Sequence, residues 1–274
     1  MNCSKLTNKG KIRKINEDAI FMSAKNINSL DNLFIVADGV GGNQKGEIAS
    51  NLSIKSFVKY IKDNKEDVDV KTLLHEAYKY SEDELFKKAE SNEKYKGMCT
   101  TFLVASIKNN ILHILNIGDS RLYLMTKYNL VNANGEKIER RMVDQITRDN
   151  TEIVEERIIP DKDIKEIAKD NNIDQDTILD VAIRKRKFLT KALGSQKNSN
   201  ADYYEIDLNK KIEDGKDIII LLCTDGLYNL ISNDEMMNVS YDDQIKFKDK
   251  TKVLVKKAIK LGGTDNVSAI MIEI

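Results

Sequence analysis

Short apolar runs, each bounded by Gly, Asn, Asp or Ser, recur along the chain and predict its strands. They lie at Ala19–Ser23, Leu33–Ala37, Thr100–Lys108, Ile111–Ile117, Arg121–Thr126, Tyr203–Leu208, Asp217–Thr224 and Val267–Ile274. The Asn109-Asn110 pair reads as a hairpin turn into the run that begins at Ile111. Helical periodicity appears over Ile48–Lys62, where Ile48, Leu52, Phe57, Val58 and Ile61 share a face. Thr72–Ala89 carries Leu73, Leu74, Ala77, Leu85 and Phe86 in the same way, and Lys252–Leu261 is a third amphipathic helix. Strands cluster, give way to a charged segment, and cluster again. That order predicts an α+β fold with a sheet-on-sheet core and helices outside, not a strict βαβ alternation.

The pattern breaks between Asn150 and Arg186, which is highly charged and only weakly helical. One proline, Pro160, and no Gly/Ser-rich linker mark the chain, so residues 1–274 are expected to form a single domain with a flap-like insert at about 150–187. Within it, Arg184-Lys185-Arg186-Lys187 reads first as a solvated helix face, and second as a patch attracting acidic partners.

Composition narrows the function. Lys+Arg and Asp+Glu are both 44, so no global field favours nucleic acid, and no aromatic residues interleave with the basic run. The longest apolar run, Ile218–Cys223, is far short of a membrane span, and the first residues lack the apolar core of a signal peptide. Cys3, Cys99 and Cys223 are scattered, as in a cytoplasmic protein with reduced thiols, Cys99 and Cys223 being small core residues. Neither His75 nor His113 has a cysteine or histidine nearby in sequence, which disfavours zinc; His113 is expected to be structural and His75 to lie at or near the surface.

The chemistry lies where apolar runs end. Leu33–Ala37 stops at Asp38-Gly39, followed by Val40-Gly41-Gly42 and a helical segment. A nucleotide loop would need a third glycine or a GK[ST] ending, and Asp38 would repel the phosphate. Alone, the site reads as a turn. The arrangement recurs, however: Asp225-Gly226 ends another run, Asp119 follows a third, Asp265 precedes a fourth, and Glu17-Asp18 precede a fifth. Carboxylates brought together repel one another unless cations neutralise them. Without histidine or thiolate among them, and with no EF-hand loop, the suitable cations are Mg²⁺ or Mn²⁺ ahead of Ca²⁺. Two such ions can share and activate a water, an arrangement suited to attack on phosphorus.

Several motifs occur in order: Arg13-x-x-x-Glu17-Asp18, Val36-Ala37-Asp38-Gly39-Val40-Gly41-Gly42, Gly97-x-x-Thr100-Thr101, Asn116-Ile117-Gly118-Asp119-Ser120-Arg121, Leu189-Thr190-Lys191-Ala192-Leu193-Gly194, Thr224-Asp225-Gly226-Leu227 and Asp265-Asn266-Val267-Ser268. Together they resemble the metal-dependent Ser/Thr protein phosphatase family of the 2C type, in its compact bacterial form, from about residue 6 to the end. The resemblance implies a four-layer α-β-β-α sandwich of two mainly antiparallel sheets flanked by helices. It implies a binuclear Mg²⁺ or Mn²⁺ centre with a weaker third ion. Asp38 would bridge the two ions, the Gly39 carbonyl would complete the second site, and Asp225 and Asp265 would hold the first. Asp119, with Asp225, would hold the third. Glu17, Asp18 and Asn266 would support these ligands from behind, Glu17 mainly through water. Arg13 would grip the substrate phosphate, a role its guanidinium fork suits; its plainer reading is one more surface cation beside Lys9, Lys11 and Lys14.

The implied reaction is single-step hydrolysis of phosphoserine and phosphothreonine in proteins by a metal-bridging water, with no phosphoenzyme. Ser120 and the cysteines are then structural. The implied partners are phosphorylated proteins and an opposing Ser/Thr kinase, and the chain is expected to be a monomer. Two departures stand out: Val40 occupies a position where many eukaryotic members carry histidine, and the segment between Arg148 and Leu189 is longer than the bacterial flap. Two rival readings are an inactive phosphoprotein-binding relative and a hydrolase of small phosphoesters. A metal-free binding module would leave the clustered carboxylates unexplained. Ser56-x-x-Lys59 lacks the partner motifs of a serine nucleophile and is set aside.

Overall fold

The apolar runs pair into two antiparallel sheets in a computed structural model that describes residues 1–40, 45–64, 68–157, 167–169 and 183–274. The first sheet contains β1 (Asn2–Asn8), β13 (Val267–Glu273), β12 (Asp217–Cys223), β7 (Arg121–Val131) and β8 (Lys137–Gln145), in that spatial order. The second orders β11 (Asp202–Asp207), β6 (Ile111–Ile117), β5 (Phe102–Lys108), β3 (Leu33–Val40) and β2 (Asp18–Ser23), with the short β4 (Cys99–Thr100) also pairing β3. Helices α1 (Lys45–Asp63) and α2 (Val70–Glu90) follow β3, α3 (Asn209–Glu213) precedes β12, and α4 (Asp225–Tyr228), α5 (Asn233–Ser240) and α6 (Phe247–Lys260) follow it.

Three apolar layers show why several strands are hydrophobic at every position. On β12, Ile218, Ile220 and Leu222 join Phe34, Val36, Leu103, Ile114 and Ile270 in a core between the sheets. The alternate residues Ile219, Leu221 and Cys223 pack with Leu227, Met236 and Leu254 under the second set of helices. On β3, Leu33, Ile35 and Ala37 face Phe57, Ile61, Leu73 and Leu85 of α1 and α2. A strand covered on both faces loses its polar alternation. The layers therefore run helix, sheet, sheet, helix, as the family resemblance implies.

Asn109 and Asn110 both adopt left-handed φ values, 53° and 58°, the conformation a tight turn between β5 and β6 requires. His113 is buried, with Nδ1 2.7 Å from the Tyr203 hydroxyl, while His75 is partly exposed beside the same ring. Cys223 is fully buried, but Cys99 is only half-buried, at the rim of β4.

The described chain forms two compact units, residues 1–149 with 191–274, and residues 150–190. In the smaller, β9 (Thr151–Arg157) and β10 (Ile183–Leu189) pair antiparallel, Thr151 opposite Leu189 and Ile153 opposite Lys187. The basic run Arg184–Lys187 is thus in a strand, not on a helix face. Alternate backbone groups of the run bond across that ladder, a partnership local sequence does not signal. The edge strands β1 and β8 also lack an apolar run, because most of their side chains meet solvent.

Candidate active site

Strand direction brings the sequence-distant acids to one end of the sandwich. β2 begins at Asp18 and runs antiparallel to β3, which passes Asp38 near its end, and the two aspartates are direct cross-strand partners. β6 ends at Ile117 and β7 restarts at Arg121, so Asp119 occupies the turn between sheets. Asp225 follows β12 and opens α4, while Asp265 lies two residues before β13.

Asp38 is held through its backbone. Its amide donates to Thr101 Oγ1 at 2.9 Å, and its carbonyl accepts from the Thr101 amide at 2.8 Å and from Thr100 Oγ1 at 2.9 Å. Those bonds leave the carboxyl group for other work. Burial, then the neighbouring charges of Asp18, Asp225, Asp265 and Asp119, push its pKa well above the ordinary carboxylate range. Asp18 is pushed up to about 7, chiefly by burial and further by Asp225 and Asp265. Hydrogen bonds from Ser268 Oγ at 2.6 Å and Thr224 Oγ1 at 3.0 Å to Asp18 Oδ2 oppose that rise. Its other oxygen, Oδ1, is buried with no hydrogen-bond partner, as is Glu17 Oε1.

Glu17 is fixed from three sides. Its amide donates to Asn266 Oδ1 at 2.8 Å, and its carbonyl accepts from the Gly39 amide at 3.1 Å and Ser50 Oγ at 2.7 Å. Asn266 also donates from Nδ2 to the carbonyls of Lys9, at 2.9 Å, and Ile15, at 3.0 Å. One amide side chain thereby clasps the segment that carries Arg13. Arg13 Nη2 reaches Asp265 Oδ2 at 2.7 Å, with the guanidinium half exposed. The hydrogen bond to Asp265 and the charges of Asp265, Glu17 and Asp38 raise its pKa further.

Gly46, near the start of α1, permits the closest approach in the site. A Cβ there would lie 2.6 Å from both Glu17 Oε1 and the Gly39 carbonyl oxygen. Gly226 likewise lets α4 meet β13, since a Cβ would stand 1.9 Å from the Asn266 carbonyl oxygen. Gly41 and Gly42 lie outside the described residues.

Asp119 is buried, and its carbonyl accepts from Tyr228 Oη at 3.0 Å. The Tyr228 ring lies under the Arg121 guanidinium, 3.7 Å from centroid to Cζ. Arg121 forks onto Asp149 through Nε at 2.9 Å and Nη2 at 2.8 Å. Tyr228, Arg121, Thr224 and Ser268 are supports that sequence reading did not single out, although each falls within or beside a quoted motif. Their hydroxyl and guanidinium roles depend on contacts between strands far apart in the chain.

Among the described residues, no three His, Cys, Asp or Glu side chains are gathered tightly enough to enclose a metal ion. The donors fit a hydrated hard cation better than a dry cage. Mg²⁺ and similar ions keep several waters and need only one or two carboxylates. The raised pKa values of Asp38 and Asp18, and the unpartnered buried oxygens of Glu17 and Asp18, mark a cluster short of positive charge. Arg13, Glu17, Asp18, Asp38, Asp119, Asp225 and Asp265 are joined by these contacts and mutual fields, and Gly39 and Asn266 pack among them.

A family model for protein phosphatase 2C matches residues 11–260. The serine/threonine phosphatase stp of Listeria monocytogenes is 26% identical over 272 residues, covering 97% of this chain and 93% of its own. Protein phosphatase PhpP of Streptococcus pneumoniae is 27% identical over 273 residues, covering 99% and 97%. Among solved structures, serine/threonine phosphatase Stp1 of Staphylococcus aureus superposes with a TM-score of 0.71 at 23% identity, covering 99% of this chain and 94% of that one. The catalytic domain of the serine/threonine protein phosphatase PstP, in complex with two manganese ions, gives 0.68 at 23%, covering 100% and 98%. At those identities the structures speak to the fold alone. With the carboxylates gathered at one end of a four-layer sandwich and the family match spanning nearly the whole chain, the chain belongs to the protein phosphatase 2C family.

Proposed function

We propose that the protein hydrolyses phosphoserine and phosphothreonine in proteins, using Mg²⁺ or Mn²⁺ at the Asp38 cluster. The observation that carries this reading is the gathering of Asp18, Asp38, Asp119, Asp225 and Asp265 in one mutual field with Arg13 beside them. Divalent ions there supply neutralisation of the carboxylates and activation of water toward phosphorus. Asp38, with the Gly39 carbonyl, Asp225 and Asp265, would hold two ions, and Asp119 would help to hold a third. Glu17, Asp18 and Asn266 keep those ligands in place. Arg13 presents a half-exposed guanidinium to an incoming phosphate, and its contact with Asp265 orients it beforehand. No buried nucleophilic serine or thiol is required.

No helix among the described residues is long and apolar enough to cross a membrane. We place the protein in the cytoplasm as a signalling monomer that opposes a Ser/Thr kinase, supported by its family and its scattered thiols. The test is phosphate release from a phosphothreonine peptide with Mn²⁺, Mg²⁺ or EDTA, with Asp225→Asn as control. Release that vanishes with EDTA and in the variant is expected. No release from folded protein with either metal would favour a phosphoprotein-binding role instead.

A further inference from the structure

Away from the carboxylates, a groove of about 310 Å³ runs between β2 and α1, lined by Phe21, Ile54, Val58, Lys55, Lys59 and Lys62, with Asp63 at one end. Its floor is apolar. Phe21 points toward the helix-side core while its neighbours Ile20 and Met22 point between the sheets, and Ile54 and Val58 are nearly buried. Its rim is cationic. Lys55, Lys59 and Lys62 recur at i, i+4 and i+7 and so share one face of α1. All three are exposed, and none makes an ion pair among the described residues.

The other wall is an open sheet edge. β2 is the last strand of its sheet and pairs only with β3, so among the described residues its outer side has no partner strand. Such an edge presents backbone donors and acceptors to an added extended chain. Seven helical residues rise about 10 Å, the length of about three residues of extended chain, so the three lysines match carboxylates along a short strand. Phe21 is three residues from Asp18, about 10 Å along β2 from the candidate active site.

We propose that this groove docks an extended acidic segment of a phosphoprotein substrate, one whose apolar side chains enter over Phe21 and whose carboxylates meet Lys55, Lys59 and Lys62. The identification of the partner as a substrate rests on the phosphatase reading above; the groove's chemistry does not. The open strand edge favours a peptide over an anionic membrane, which would use the lysines but not the backbone.

The experiment uses the full chain and the triple variant Lys55→Glu/Lys59→Glu/Lys62→Glu. Fluorescence anisotropy with EDTA present measures binding of a labelled, unphosphorylated eight-residue peptide, Val-Thr-Glu-Thr-Val-Thr-Glu-Thr, whose Val and Glu side chains fall on one face of an extended chain. The variant is expected to bind about tenfold more weakly, and wild-type binding to weaken with salt, as loss of several exposed charge contacts implies. Phe21→Ala, a second variant that keeps every lysine, is expected to weaken binding as well. With Mn²⁺, KM for a phosphothreonine peptide carrying the same segment should rise in the triple variant, while kcat/KM for p-nitrophenyl phosphate stays unchanged. Equal peptide binding by wild type and variants, or equal binding of a peptide with Lys in place of Glu, would overturn the groove. So would lysine-dependent binding to phosphatidylglycerol vesicles with none to the peptide. Variant-sensitive peptide binding without hydrolysis of either phosphate compound would support the groove and overturn the phosphatase reading.

Discussion

Asp38 and Asp18 meet as cross-strand partners, and like charges placed opposite one another are destabilising. Removing one should therefore separate stability from function. Asp38→Asn is expected to raise the melting temperature of metal-free protein while reducing phosphate release at least about a hundredfold, the scale of losing one electrostatic contact to a transition state. Unchanged turnover would remove Asp38 from the site. The hydroxyls on Asp18 have the opposite sign. Ser268→Ala deletes a 2.6 Å bond to a buried carboxylate, and should cost about 1–3 kcal/mol by urea unfolding. These residue-level roles divide by how they are expressed in sequence. A carboxylate next to glycine at a strand end is visible locally, and the family motifs name Asp38, Asp119, Asp225 and Asp265. That Thr224 and Ser268 share one oxygen of Asp18 is visible only when β12 and β13 are brought against β2.

At the level of elements, α1 begins where two backbones and a carboxylate converge. Alanine is ordinarily a better helix residue than glycine by about 1 kcal/mol. At Gly46 the added Cβ would stand 2.6 Å from Glu17 Oε1 and from the Gly39 carbonyl oxygen, and overpacking typically costs about 1–3 kcal/mol. Gly46→Ala is thus expected to destabilise the fold and lower activity together, as measured by thermal melting and peptide hydrolysis. A stabilised, active variant would mean that Glu17 moves freely. The elements themselves were legible to the degree that burial shaped them. β6 spans the apolar run Ile111–Ile117, and β12, covered on both faces, shows as continuous hydrophobicity. Strands β1, β8, β9 and β10 were not: β1, β9 and β10 pair with segments distant in sequence, and β8, though joined to β7 by a short turn, carries mostly exposed side chains with no apolar run.

For the molecule as a whole, the acidic cluster links pH, metal and stability. The folded-state pKa of Asp18 is raised above its unfolded value, to about 7, and that of Asp38 is raised as well. The folded state then holds protons that the unfolded state has released, so stability falls as pH rises from about 4 to about 7. EDTA-treated protein should melt at progressively lower temperature across that window. Added Mn²⁺ should raise the melting temperature more at pH 8 than at pH 5, because cations compete with protons for the same oxygens. A flat apoprotein profile would mean that the carboxylates do not share one field.

The sequence by itself determined the α+β class and the paired layers, and marked acids at strand ends, because burial writes hydrophobic runs and turns write Asp-Gly. It also carried the family, through motifs spread over nearly the whole chain. Tertiary structure alone decided which oxygens are buried without partners, that Asn266 clasps the Arg13 segment, that Tyr228 and Arg121 stand behind Asp119, and that three lysines border an open strand edge. Those facts depend on contacts between residues up to 257 positions apart, and no local pattern of residue types encodes a distance.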